Sequence, residues 1–172
     1  MTKRKHRIHH SRIVRDIVQH GEFARLRSFS HHNSSIYDHA RRVSYYSYRV
    51  CRVLGLDYQA GARGGLLHDF FLYDWRSYKK NKNNPNHGRT HPLVALDNSR
   101  RCFDVNELES DIIRHHMWPK GSKRPQSPEG IVVSLVDKYC ATVEFFMHGV
   151  SFTKQRYCAD RRKINDLILR YR

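Results

Sequence analysis

Apolar residues recur at helical spacing along most of the chain. Between 35 and 54, Ile36, Ala40, Val43, Ser47, Val50 and Leu54 follow one another at intervals of 4, 3, 4, 3 and 4. This period places them on one face of an amphipathic helix, with Ser34 or Ser35 as its cap. Asp57 can cap a second helix that reaches Asp69. The Gly64–Gly65 pair inside it lowers helix propensity but lets a neighbouring element approach closely. Thr90 can cap a third helix over 91–101. Asp104, with Glu107 three residues on, predicts a capping-box start for a fourth helix ending near His116. Ser127–Pro128–Glu129 opens a fifth, with a cap, a proline in the first turn and an acid at the positive end of the helix dipole. It runs through Val132, Leu135, Val136, Tyr139, Val143 and Phe146. A last basic helix is predicted over about 153–171, carrying Ile164, Leu167, Ile168 and Tyr171. Two stretches break the pattern: 76–89 is Asn-rich and basic, and 119–128 holds three prolines and three cations. With no strand alternation and no internal repeat, the pattern predicts an all-α fold, a single compact bundle of about five to seven helices.

Length and composition narrow the function. The chain has 172 residues, which favours one domain with one core. Hydrophobic residues make up 39% and charged residues 28%, which argues for a globular chain and against disorder. Lys and Arg outnumber Asp and Glu by 32 to 16, giving +16 with His neutral, so the surface should attract anions such as nucleotides, nucleic acid or acidic headgroups. The four cysteines form no CxxC pair, and this predicts reduced thiols and a cytoplasmic protein. The first ten residues, MTKRKHRIHH, have no apolar core after their charges, unlike a secretory signal. No apolar run approaches the roughly 20 residues that span a bilayer.

Thirteen histidines change the picture further. His6, His9, His10 and His20 belong to the basic N-terminal segment and read as surface residues. Others fall beside the apolar faces. His39 borders the stripe of the first strong helix, His68 and Asp69 end the next within GGLLHDFFLYDW, His91 begins the third, and His115–His116 end the fourth. Asp137 sits in the middle of the fifth, within the apolar segment VVSLVDKYCA. A buried carboxylate is costly unless it is paired or binds a metal. The order H…HD…H…H…D offers nitrogen and oxygen donors suited to Mn, Fe, Co, Ni or Zn, and the lack of cysteine ligands argues against a structural zinc site.

These residues resemble the HD-domain metal-dependent phosphohydrolases over about 32–147. The resemblance rests on His39 in YDHARRV, His68 and Asp69 in GLLHDFF and Asp137 in LVDKYCA, with His91 in THPLVAL and His115 or His116 in IIRHHMWP similar to the branch that holds two metals. It implies an HD-type metal-binding catalytic domain over 31–150, preceded by a basic arm or helix over 1–30 and followed by a basic helix over 151–172 packed on the same domain. It also implies one or two divalent transition-metal ions. The first would be held by His39, His68, Asp69 and Asp137. Asp69 would bridge to a second ion held by His91 and His116, with His115 as the alternative or additional ligand. The activity implied is hydrolysis of a phosphate ester, of nucleotide type, by metal-activated water.

Asp69 and Asp137 therefore carry both metal-ligand and catalytic expectations. Two other residues are candidates for the substrate phosphate. His32 lies seven residues before His39 and can reach an anion or serve as a loop histidine; Lys138 follows a ligand on its helix and can meet an anion or remain a surface lysine. Asp74 is the nearest acid after the doublet, and so the candidate general acid. The basic loops following the ligand segments would concentrate an anionic, phosphate-containing small molecule. Tyr73, Trp75 and Trp118 read as packing anchors. Two alternatives use the same sequence differently: a di-iron oxygenase of the same fold, and a nucleic-acid-binding protein whose basic surface contacts the backbone without sequence preference.

Overall fold

The computed structural model describes residues 2–31, 34–77, 87–120 and 123–147. In chain order they form α1 (Lys3–Ile13), α2 (Arg15–Gln19), α3 (Gly21–Ala24), a 3-10 turn (Arg25–Ser28), β1 (Ser30–His31), β2 (Ser34–Ser35), α4 (Ile36–Leu54), α5 (Tyr58–Leu67), a second 3-10 turn (Trp75–Ser77), α6 (His87–Cys102) and α7 (Glu107–His115). A further helix, α8, runs through residues 128–147. The all-α expectation holds, apart from the two-residue antiparallel pairing of β1 with β2. The predicted helix at 153–171, and with it Cys158, lies outside the described residues. No helix among the described residues is long and apolar enough to cross a membrane.

The local signals act largely as expected. Ser35 Oγ accepts from the Asp38 amide at 3.1 Å and starts α4. Gly55, at φ 69°, ends it with its amide on Cys51 O, a conformation that costs glycine nothing. Asp57 Oδ1 accepts from the amides of Gln59 and Ala60 and starts α5. Ser127 Oγ accepts from the Gly130 amide at the head of α8, with Pro128 in its first turn. Two starts differ. The capping box of α7 is Asn106 with Glu109, two residues beyond Asp104 with Glu107. Both pairs have the right spacing, but Glu109 is also held by Arg63 Nε at 2.8 Å. The third helix is already formed at His87, not at His91, and Pro92 lies inside it.

α5 lies at the centre, packed between α4 and α7, with α6 against α7. Its glycines decide this. A Cβ on Gly65 would lie 3.3 Å from the backbone Cα of Ser44 in α4, and one on Gly64 would lie 2.7 Å from Ile112 Cγ2 in α7. Glycine at 64 makes room for Ile112, and glycine at 65 keeps the approach of Ser44 unstrained. Leu66, Leu67, Phe70 and Phe71 then fill the core with Phe23, Ile36 and Ile113, each contributing roughly 1.5–3 kcal/mol of burial. The segment 1–30, read as a basic arm, sends Val14, Ile17, Phe23 and Leu26 into this same core. Its histidines are not mere surface residues. His10 Nε2 lies 2.8 Å from Ser44 Oγ, and His9 Nδ1 lies 3.1 Å from Tyr48 OH.

Two apolar stripes differ from expectation. On α4 the buried row continues from Ser47 to Cys51, leaving Val50 and Leu54 exposed. On α8, Val132 is buried and Val136 packs on the core as expected, but Leu135, Tyr139, Val143 and Phe146 are exposed, whereas Val133 and Cys140 are buried. Sequence spacing identifies a row of apolar residues; packing partners select which row goes inside. Cys51, Cys102 and Cys140 are free thiols, as expected.

Candidate metal centre

The convergence of α4, α5, α6, α7 and α8 brings six of the candidate residues together. His39, His68, Asp69, His91 and His116 are buried, and Asp137 is nearly so. Two groups have donor atoms all within 4.8 Å of one another: His39, His68 and Asp69, and Asp69, His91 and His116. Asp69 belongs to both. Its Oδ2 lies 3.4 Å from His68 Nε2, while its Oδ1 lies 3.2 Å from His91 Nε2 and 3.5 Å from His116 Nε2. Asp137 Oδ1 closes the first group, 3.0 Å from His39 Nε2 and 3.5 Å from His68 Nε2. The carboxylate of the doublet thus presents one oxygen to each group.

The histidine orientations follow from their other ring nitrogens. Nδ1 of His68 donates to Gly65 O at 2.9 Å, that of His91 to His87 O at 2.9 Å, and that of His116 to Ile113 O at 2.8 Å. A carbonyl can only accept, so Nδ1 carries the proton and Nε2 is the nitrogen turned inward. Nε2 of His68 is buried and finds no hydrogen-bond partner of good geometry among the described residues. His39 differs: its Nδ1 lies 3.0 Å from Glu144 Oε1, which also accepts from Arg42 Nε at 2.9 Å. Glu144 escaped the sequence reading. The signal available was its position seven residues after Asp137, which puts it two turns along the same face of α8.

Carboxylates and imidazoles stabilise one another's charge here: burial opposes a charge on His68, but Asp69 and Asp137 outweigh it and raise its pKa. Burial works against charge on both Asp69 and Asp137, but the surrounding histidines outweigh it and hold both carboxyl groups far below the ordinary range. Burial likewise opposes a charge on His39, and its hydrogen bonds to Asp137 and Glu144 overcome this and raise its pKa to about 10. His116 goes the other way. Burial, then the neighbouring His68 and His91, lower it to about 3, so its ring is neutral.

The remaining candidates are placed elsewhere. His115 belongs to neither group: one residue round the helix from His116, it directs Nδ1 to Asp111 Oδ1 at 2.8 Å. Asp111 also accepts from the amides of Gln126 and Ser127, so this pair anchors the approach to α8. Lys138 lines the cavity beside the second group, yet its Nζ donates to His116 O, Ser134 O and Ser134 Oγ at 3.0–3.1 Å, which uses all three of its protons. It fastens the end of α7 to α8 and so positions His116. Asp74 is exposed and accepts from the Arg76 amide. His32 lies outside the described residues, as does most of the basic loop at 78–86.

Residues 36–142 match the family model described as HD domain, a span of well over half the chain. The chain belongs to the HD-domain family. No curated protein and no solved structure matches it. HD-domain proteins are in general metal-dependent phosphohydrolases, and the paired His/Asp groups of this HD domain have the donor chemistry of divalent metal ions. The matched span contains the His39, His68–Asp69 and Asp137 positions as well as His91 and His116.

Proposed function

We propose that this HD-domain protein hydrolyses a phosphate ester at a two-metal centre. One ion is held by His39, His68, Asp69 and Asp137, the other by Asp69, His91 and His116. The observation that carries the reading is Asp69, buried between two sets of inward-facing imidazole nitrogens with one carboxylate oxygen turned to each. Divalent transition metals bound there supply Lewis acidity, polarising a phosphoryl oxygen and lowering the pKa of a water.

The chain's own residues supply the rest. A cavity of about 270 Å³ opens beside Asp69, His91 and His116. Phe71, Trp75, Met117 and Ala141 give it apolar lining, and Lys120 lines it as well. Trp75, His87 and His91 form a staircase of nearly parallel rings, with interplanar angles of 26° and 24°. The lysine favours a phosphate, and the apolar wall with its flat rings favours an organic leaving group, which fits a nucleotide-type ester. Asp69 and Asp137, both ionised, balance the cationic charge that a phosphate anion would meet.

Release of inorganic phosphate from a generic aryl phosphate, and from a set of nucleotides, is the direct assay. Activity should disappear after chelation and return when Mn, Fe, Co, Ni or Zn is added back. Asp69→Asn should lower turnover by more than about a hundredfold, beyond the effect usual for residues that only orient ligands. Full turnover in Asp69→Asn, or in chelated protein, would exclude the reading.

A further inference from the structure

Away from the histidine cluster, α1 and α4 wall a second groove, of about 850 Å³. Lys3 and Arg7 enter it from α1, and Arg41, Arg42 and Arg49 from α4. α1 contains five Lys or Arg and no acid; α4 contains four arginines and one acid, Asp38. That acid accepts from its own cap residue, Ser35, at 2.8 Å. Arg42 is paired with Glu144, and Lys3, Arg7, Arg41 and Arg49 still concentrate positive charge in the groove, a gathering that attracts an anion. His10, on its floor, feels this: burial, then Arg41, lower its pKa to about 4.

Aromatic rings accompany the cations. Tyr45 and Tyr46 line the groove, and Tyr46 is 45% exposed. Its ring meets that of Tyr139 on α8, itself 61% exposed, edge to face at 6.4 Å. Arg41, Tyr45 and Arg49 repeat every four residues, so one ridge of α4 alternates cation, ring, cation along roughly 12 Å of helix axis. A cationic trough with exposed rings among the cations suits a single-stranded nucleic acid: phosphates follow the cations, and bases stack on the rings without regard to sequence. An acidic membrane would instead need these cations on a flat or convex face with apolar side chains to insert.

We propose that the α1–α4 groove binds single-stranded nucleic acid, at a site separate from the metal centre. The test uses the full chain and fluorescein-labelled 20-mers of dT and of U, followed by anisotropy. Both should bind, with an affinity that falls steeply between 50 and 200 mM salt; the two arms report whether DNA or RNA is preferred. Arg41→Glu with Arg49→Glu should weaken binding at least thirtyfold, and Tyr46→Ala about tenfold. Arg41→Lys with Arg49→Lys should stay within about threefold of the parent, which separates lost charge from lost fold. Circular dichroism melting of each variant supplies the same check. Unchanged binding in the charge-reversed variant would overturn the proposal, as would tighter binding to a 20-base-pair duplex or equal binding to phosphatidylserine vesicles. None of these readouts depends on the hydrolase activity, so either reading can fail alone.

Discussion

Nε2 of His91 lies 2.9 Å from Nε2 of His116, although each ring directs its Nδ1 proton to a main-chain carbonyl. With the His116 ring neutral, its Nε2 lone pair faces the His91 nitrogen at this short distance. A cation in reach of both nitrogens would satisfy them together, and Asp69 Oδ1, 3.2 and 3.5 Å away, supplies the matching anion. Elemental analysis of the purified protein should therefore find two transition-metal ions per chain. His91→Ala or His116→Ala should reduce this to one and leave the His39 group loaded. A single ion in the parent protein, retained in both variants, would remove the second centre.

Glu144 orients His39 from the side opposite Asp137. Burial disfavours its charge, but the hydrogen bond and charge of His39, followed by Arg42, hold its pKa at about 2. Outer carboxylates of this kind typically change metal affinity 10- to 100-fold when altered. Glu144→Gln keeps the shape and removes the charge. It should weaken metal retention about tenfold or more, measured by competition with a chelator, while the thermal unfolding profile of the metal-free protein stays close to the parent. Unaltered metal retention would assign Glu144 to packing alone.

The Gly64 contact is equally direct to test. A methyl group there would fall 2.7 Å from Ile112 Cγ2 and 2.9 Å from Ile112 Cβ, and the second atom cannot swing away. Gly64→Ala should cost roughly 1–3 kcal/mol by overpacking, despite alanine's better helix propensity. Denaturant unfolding measures it. Combined with Ile112→Ala it should cost less than the sum of the two single changes, because Cγ2 and Cδ1 are gone even though Cβ remains.

His10 predicts a pH dependence of stability. Burial, then Arg41 and His9, lower its pKa from 6.5 to about 4 in the folded chain. Between those values the unfolded chain binds more protons than the folded one. The stability from keeping His10 neutral is therefore complete above pH 6.5 and lost as pH falls toward 4. His10→Gln, which cannot titrate, should flatten the melting temperature over this window, by on the order of 5 °C at its acid end. An unchanged slope in that variant would place the acid sensitivity elsewhere.

Residue by residue, the candidate site was largely legible. His39, His68, Asp69, His91 and Asp137 each stood beside an apolar row, where an unpaired polar group would be costly, and that cost is local and visible in sequence. His115 and His116 could not be separated, because adjacent positions at a helix end differ only in direction, and direction has meaning only once a neighbour exists. Lys138 read either as a cation for an anion or as a surface lysine; its three protons go to Ser134 and to the carbonyl of His116. The α8 stripe holds at Val132 and Val136 and fails elsewhere for the same reason. Leu135, Tyr139 and Val143 form a helical row as good as that of Val133 and Cys140, and the partners on α5 and α7 made the choice.

What the sequence determined by itself is the set of helices, most of their caps and the residue types able to hold a cation, because hydrogen-bonded turns, capping side chains and apolar periods are set by neighbours within a few positions. The tertiary structure alone decided that Asp69 stands between two imidazole groups, that Glu144 backs His39, and that α1 joins α4 in a cationic groove. Those relationships join residues from distant parts of the chain, and they exist only because two glycines let α5 sink between its neighbours until its C-terminal end reaches the centre.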